Sequence, residues 1–151
     1  MEPVETLGEV ECLASLRVLP LFADLDMADL VHVSRVTSQR RYEPGELVYS
    51  QGEGGDEMLI VVEGSALVTR VTGDERRAVA TLTAGDFVGE LSLLTREPRS
   101  ADVHAGDDGL HGLVVSTVTL EAVVRERPGV GLAMLAALAE RLAQNPLPRH
   151  D

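Results

Sequence analysis

Gly85-Asp86-Phe87-Val88-Gly89-Glu90-Leu91-Ser92-Leu93-Leu94-Thr95-Arg96-Glu97-Pro98-Arg99-Ser100-Ala101-Asp102-Val103 interrupts an otherwise strand-like part of the chain. Gly89 lets the backbone come close to a ligand, and Glu90 to Leu94 has the leucine density for one or two helical turns. Amide groups at the start of so short a helix have no partner within it and together form a site for an anion. Arg99 follows nine residues after Glu90. If the chain doubles back, the guanidinium meets the same anion through paired N–H donors, and one arginine suits one phosphate. The Glu90 carboxylate repels a phosphodiester but can accept hydrogen bonds from a sugar hydroxyl beside it. The combination points to a nucleotide with one negative charge and a free ribose hydroxyl.

Outward from this stretch, from about Val36 to Ser116, short apolar or alternating runs are divided by turn residues. Pro44-Gly45, Gly52, Gly54-Gly55, Gly64, Gly73-Asp74 and Gly106-Asp107-Asp108-Gly109 are among them. Runs at residues 47–49, 58–63, 66–71, 78–82, 101–104 and 113–115 are rich in Val, Ile, Leu and Thr, which predicts an antiparallel sandwich or barrel. Ahead of them, Leu13, Leu16 and Leu19 read as helix up to Pro20, and Asp26 can cap a turn carrying Met27, Leu30, Val31 and Val33. Behind them, Ser116, Thr117 or Thr119 can cap a helix with Leu120, Val123 and Val124, stopped at Pro128-Gly129. In a second helix Val130, Met134, Leu135, Leu138 and Leu142 form an apolar stripe that runs until Pro146. The expected architecture is α+β: an eight-stranded antiparallel roll or jelly-roll barrel flanked by helices. It forms one domain over residues 1–144, with helices over 12–35, the roll over 36–116, helices over 117–144 and a tail over 145–151.

Composition narrows the function classes. The chain has 151 residues, and 25 acidic against 13 basic residues give a net charge of -12, which repels DNA, RNA and anionic lipid. Every basic residue is arginine, so Schiff-base lysines, the lysine of a Walker loop and Ser-Lys dyads are excluded. A single cysteine, Cys12, rules out a disulfide framework and reads as a small core residue. No apolar run is long enough to span a bilayer and the first residues are acidic, so a soluble, cytoplasmic protein is expected. No pair of general bases and no nucleophile elbow is visible, so binding without turnover is expected and no enzyme activity.

The central stretch resembles the cyclic-nucleotide-binding domain family, whose phosphate-binding cassette reads approximately F-G-E-x-A-L, a spacer, then P-R-[ST]-A-x-V. Here the two parts are Val88-Gly89-Glu90-Leu91-Ser92-Leu93 and Pro98-Arg99-Ser100-Ala101-Asp102-Val103. Tyr42-x-Pro44-Gly45, Gln51-Gly52 through Gly55-Asp56, Glu63-Gly64, and Leu21-Phe22 before Leu25 and Leu30 extend the likeness to about residues 19–144. The resemblance implies that Glu90 accepts from the ribose 2′-hydroxyl and Arg99 pairs with the cyclic phosphate. It implies that Leu91 and Ser92 offer backbone N–H groups and Ser100 a hydroxyl, with Val88, Gly89 and Ala101 completing the cassette. Val79 and Leu82 would flank the base, with Arg141 and Asn145 near it on the last helix. Departures are Val88, where an aromatic is frequent, Ser92, where alanine is frequent, and Pro146, which ends the last helix early.

The implied function is a sensor of cAMP ahead of cGMP, with no separate cofactor, whose carboxy-terminal helices change position on binding. The effector or partner protein stays open, and a homodimer through the last helix is one possibility. With no helix-turn-helix, kinase or channel segment expected after that helix, the reading is a stand-alone sensor or a regulatory piece of a larger polypeptide. The rival reading is a degenerate member of the family that holds a partner or dimerises without ligand. Single residues also keep plainer readings. Arg141, after Glu140, reads first as a solvated arginine; Ser100 can simply occupy a strand. Gly52-x-Gly54-Gly55 is a turn rather than a phosphate loop, and His104 with His111 is a weak metal pair lacking a further ligand.

Overall fold

The computed structural model describes residues 9–19 and 22–144. The expectations for the side chains of Cys12, Leu91 and Leu142, for Pro20 and Leu21, and for the tail from Asn145 lie outside the described residues. The order of elements is α1 (Glu9–Arg17), α2 (Met27–Val36), β1 (Ser38–Tyr42), β2 (Leu47–Tyr49), β3 (Glu57–Thr72), β4 (Glu75–Leu82), β5 (Phe87–Val88), α3 (Glu90–Thr95), β6 (Asp102–Ser116), α4 (Thr117–Glu126) and α5 (Pro128–Gln144).

The strands form one antiparallel sheet of order β1-β6-β3-β4, with β2 also on β6 and β5 also on β3. β3 and β6 are each longer than the runs read from the sequence, because each bends instead of ending. The Glu57–Gly64 half of β3 pairs with Leu110–Ser116 of β6 and with β5, while its Ala66–Thr72 half pairs with Asp102–Ala105 and with β4. Among the described residues, six continuous strands therefore do the work of eight segments, and the sheet folds over on itself. At the bend, residues 106–109 stand opposite Ser65 alone, so Gly106-Asp107-Asp108-Gly109 is a wide bulge inside one strand and not a turn between two. Gly64 makes the bend possible: its φ is 81°, and a Cβ there would strike the carbonyl of Gly109. Among the described residues no ladder joins β1 or β2 to β4 or β5, so of the two forms expected from the sequence the sheet is the roll and not the closed barrel.

Strand alternation sends successive side chains of β3 to two different cores. Met58 and Ile60 join Phe87, Leu113 and Val115 against the helices, where Leu16, Phe22, Leu30, Val123, Met134 and Leu138 complete a cluster. Leu59 and Val61 face the inside of the roll with Ala66, Val68, Leu82, Val103 and Ala105. Both faces of this strand are thus covered, which is why Met58 to Val61 is an unbroken apolar run with all four residues fully buried.

Both expected caps form: Asp26 accepts from the amide of Asp29 at 2.8 Å, and Ser116 Oγ accepts from the amide of Thr119 at 3.1 Å. The Pro128-Gly129 break is tighter than expected. Only Arg127 separates α4 from α5, and Pro128 opens α5, where its missing N–H costs nothing. The stripe on α5 also differs, since Val130, Met134 and Leu138 are buried while Leu135 is 37% exposed. Among the described residues no helix is long and apolar enough to cross a membrane.

Candidate functional site

The turn after β4 starts the site. Thr83 donates its amide to the Asp86 carboxylate at 3.0 Å, and the amides of Gly85 and Val61 bond across to Val61 and Asp86 carbonyls at 2.9 and 2.8 Å, which fastens the turn to β3. Two residues of β5 follow, then Gly89 at φ 92°, a left-handed conformation that points the first amides of α3 back toward the roll. Leu93 N–H is the first to bond within the helix, to Gly89 O at 3.1 Å, so the amides of Glu90, Leu91 and Ser92 have no partner in it. The helix ends at Arg96, which takes the left-handed region at φ 60° and turns the chain back. Ser92 Oγ donates to Glu97 O at 2.7 Å and holds the returning loop against the helix.

That return brings Arg99 under α3. Its own amide donates to Glu53 O at 2.8 Å, and its carbonyl accepts from Gly52 N–H at 2.8 Å, so the Gln51–Gly55 loop fixes its backbone on both sides. The side chain is 6% exposed, Nη1 donates to Glu57 O at 2.8 Å, and the guanidinium lies 3.7 Å from the centre of the Tyr49 ring. Nε is buried without a hydrogen-bond partner, and among the described residues no carboxylate pairs with this cation. Beside it Glu90 is also 6% exposed. Among the described residues neither Arg99 nor Glu90 has an ion-pair partner, and a buried charge without one is costly unless a ligand supplies what it lacks.

These groups line a cavity of about 170 Å³. Of the residues singled out in the sequence, Val79, Leu82, Val88, Gly89, Glu90, Ser92, Arg99, Ser100, Ala101 and Arg141 all border it. Val79 is partly exposed and Leu82 buried, giving the far wall an apolar surface. Ser100 is exposed at the rim, and its carbonyl accepts from Arg70 Nε at 3.1 Å. Arg141 is not a solvated surface arginine: α5 carries it across to the cavity, where it stacks 4.4 Å from the centre of the Phe87 ring.

Sequence reasoning missed Tyr49, Val68, Arg70, Phe87 and Pro98, which share the lining. Tyr49 carried a signal, since an aromatic at the end of a strand beside the Gln51–Gly55 loop is a natural platform for an arginine that this loop positions. Burial, reinforced by the neighbouring Glu57 carboxylate, pushes the Tyr49 phenol up, so it stays a donor, and it donates to Glu57 Oε2 at 2.8 Å. Asp102, just beyond the cassette, accepts from Gln51 N–H at 2.7 Å and from Arg76 at 2.7 Å, and those bonds hold its carboxyl below the usual range. His104 and His111 lie seven positions apart on β6; His111 is buried with Nε2 2.9 Å from Gln39 Oε1. Among the described residues no three His, Cys, Asp or Glu side chains gather as metal ligands would.

The comparisons with known proteins agree with this geometry. The family model described as cyclic nucleotide-binding domain matches residues 39–127, which hold the whole roll after the first residue of β1, with α3 and α4. The chain is 39% identical over 129 residues to a cAMP-dependent protein kinase regulatory subunit of Mycosarcoma maydis, covering 83% of this chain and 23% of that one. It is 37% identical over 105 residues to a cyclic nucleotide-gated potassium channel of Rhizobium etli, covering 70% of this chain and 26% of the channel. It thus spans about a quarter of the length of these curated relatives. The N-terminal domain of a transcriptional regulator from Streptomyces coelicolor superposes with a TM-score of 0.75 at 29% identity, over 87% of this chain and 94% of that one. The regulatory domain of Toxoplasma gondii PKA, crystallised with cAMP, gives 0.71 at 25% identity over 87% of this chain and 50% of that one. With the family model covering more than half of its length, and the bent roll, α3 and buried arginine in place, this chain belongs to the cyclic nucleotide-binding domain family.

Proposed function

We propose that the domain binds a 3′,5′-cyclic purine nucleotide, cAMP ahead of cGMP, holds it without chemical change, and passes its occupancy to an effector through α5. The observation that carries this reading is Arg99: a guanidinium 6% exposed, with no carboxylate partner among the described residues, bordering a cavity beside the first amides of α3, which have no partner within that helix. A singly charged phosphodiester supplies the missing counter-charge, and its second ester oxygen keeps the total charge matched to one arginine. Glu90 accepts from the ribose 2′-hydroxyl, Leu91 and Ser92 present amides to the phosphate, and Ser100 adds its hydroxyl at the rim. The base lies against Val79 and Leu82, with Arg141 reaching it from α5. Relatives whose names call them regulatory subunits support a sensor rather than an enzyme. A lone cysteine suits the reducing cytoplasm. The exposed Leu132 and Leu135 on α5 are what an effector or second subunit would meet.

Calorimetric titration with cAMP, cGMP and 5′-AMP tests the reading, with the spent cAMP sample analysed for 5′-nucleotide. Binding of the cyclic diester with 5′-AMP much weaker and no hydrolysis is the expected outcome; comparable affinity for cAMP and 5′-AMP contradicts it. Glu90→Ala should cost less affinity than loss of Arg99 and should remove the preference for cAMP over its 2′-deoxy analogue. A preference as strong as the parent's would take the ribose away from Glu90.

A further inference from the structure

A cation buried without a counter-ion must be held in place by something that does not neutralise it. Backbone carbonyls take part of this task, since Arg99 Nη1 donates to Glu57 O at 2.8 Å and to Gly89 O at 3.4 Å. Close walls take another part: a Cβ on Gly55 would sit 2.5 Å from Arg99 Cζ, and one on Gly89 would sit 2.5 Å from Nη1. The remaining face of the guanidinium is covered by the Tyr49 ring. An aromatic face attracts a cation through its quadrupole and leaves the full charge available to a ligand, whereas a carboxylate there would compete with a phosphodiester.

The ring is itself tied down. Tyr49 closes β2, and its hydroxyl donates to Glu57 Oε2, which also accepts from Arg40 Nη1 at 2.6 Å, while Glu57 Oε1 accepts from Arg40 Nη2 at 3.1 Å. The chain Arg40, Glu57, Tyr49, Arg99 runs from the outer surface of β1 to the wall of the cavity, with Arg40 about half exposed and Glu57 mostly covered. A two-pronged Arg–carboxylate contact fixes orientation better than a single one. We propose that Tyr49 is a positioning residue for anion recognition, setting the plane of the Arg99 guanidinium while leaving its charge uncommitted, and that the Arg40–Glu57 pair locks the ring. The inference rests on the reading that Arg99 holds a phosphodiester.

The test uses the whole chain with Tyr49→Leu, which removes the ring, and Tyr49→Phe and Arg40→Gln, which keep it but loosen its tether. Calorimetry with cAMP and with adenosine, which lacks the phosphate, separates positioning from mere filling of space. Tyr49→Leu should weaken cAMP about tenfold, and the other two about threefold, with adenosine moving by less than about twofold, as expected for losing or loosening a desolvated cation–π contact. Equal loss for both ligands, or unchanged cAMP affinity in all three variants, overturns the proposal. If Tyr49→Leu does not fold, Tyr49→Phe and Arg40→Gln decide on the same terms. A second measurement needs no nucleotide: the Arg99 Nε–H proton resonance of the ligand-free domain should carry the ring-current displacement of an aromatic neighbour, with faster solvent exchange in Tyr49→Phe and Arg40→Gln. A parent that shows this resonance yet binds no cAMP refutes the functional reading and keeps the stacked arginine. A parent without the displacement, or variants with the parent's exchange rate, refutes the positioning role.

Discussion

The two buried clusters of the domain are made of different materials. The one outside the roll, between sheet and helices, is built from large apolar side chains such as Phe22, Leu30, Met134 and Leu138. The one inside uses smaller residues, with Ala66, Ala101, Ala105, Val61 and Val103, and it leaves a cavity at its end where Arg99, Glu90 and Ser92 are buried. Burial of apolar area stabilises the first, and the second gives up part of that stabilisation to keep polar groups ready for a ligand. The difference teaches that the two faces of β3 serve different clusters: Met58 and Ile60 join the helix side, while Leu59, Val61 and Val68 fill the inside of the roll, where Val68 lines the cavity.

A pair of substitutions should break this comparison apart most visibly. Arg99→Ala should reduce affinity for the cyclic nucleotide by about 2 to 5 kcal/mol, the cost of losing one partner of a desolvated charged contact. The melting temperature of its ligand-free form should stay within a few degrees of the parent, because the substitution removes a buried cation that has no counter-ion among the described residues. Leu138→Ala, at a fully buried position on α5, should lose about 2 to 5 kcal/mol of stability and leave the phosphate contacts in place. Thermal melts with and without ligand, together with calorimetry, check both. If Arg99→Ala melts as early as Leu138→Ala, recognition and stability are not divided as drawn.

A smaller effect separates the two ends of the roll by pH. Burial, with Arg41 adding to it and Glu63 opposing it, pulls His111 below the usual imidazole range, so the folded protein favours the neutral ring. A pKa lowered on folding gives stability that is present above the unfolded value and lost as pH falls through the folded one. For His111 the loss should begin below about pH 6.5, and for Asp102, held down by Gln51 N–H and Arg76, below about pH 3.9. Denaturant unfolding across pH should show both steps, and Asp102→Asn should remove the lower one alone. A variant that keeps the lower step would place the responsible carboxylate elsewhere.

The sequence was most legible where a residue type has one physical use. Gly89-Glu90 followed by Arg99-Ser100 told where the backbone must tighten and which residues would border one cavity, and both caps, Asp26 and Ser116, were readable from their side chains. It was least legible where a strand bends. Gly64 and the run Gly106 to Gly109 carry turn chemistry, yet they bulge within β3 and β6, because the ladder on either side resumes with a shifted register. β1, Ser-Gln-Arg-Arg-Tyr, has no apolar alternation at all and is a strand because β6 offers it a partner along its whole length. Arg141 looked solvated since its neighbours on the helix are; which way α5 docks decides its place, and that depends on distant residues such as Phe87 and Met58.

The last and smallest effect concerns α5, whose two ends belong to the two different regions. Val130, Met134 and Leu138 anchor it in the apolar cluster, while Arg141, one turn further, borders the cavity. Opening the whole helix would expose that anchor, so ligand-linked motion should be confined to the turns after Leu138, from which Arg141 reaches the cavity. Such a turn gains hydrogen-exchange protection from ligand only if its opening lets the ligand go, and a tenfold gain needs about 1.4 kcal/mol of preference for the closed form. At labelling times too short for global unfolding, amides of residues 139–144 should therefore slow by up to about tenfold on saturation with cAMP. Amides of α2, packed on the helical side away from the cavity, should keep their rates. Rates in residues 139–144 that ignore the ligand would make α5 a fixed lid and route the signal through α3 and the Gln51–Gly55 loop, which hold Arg99 directly.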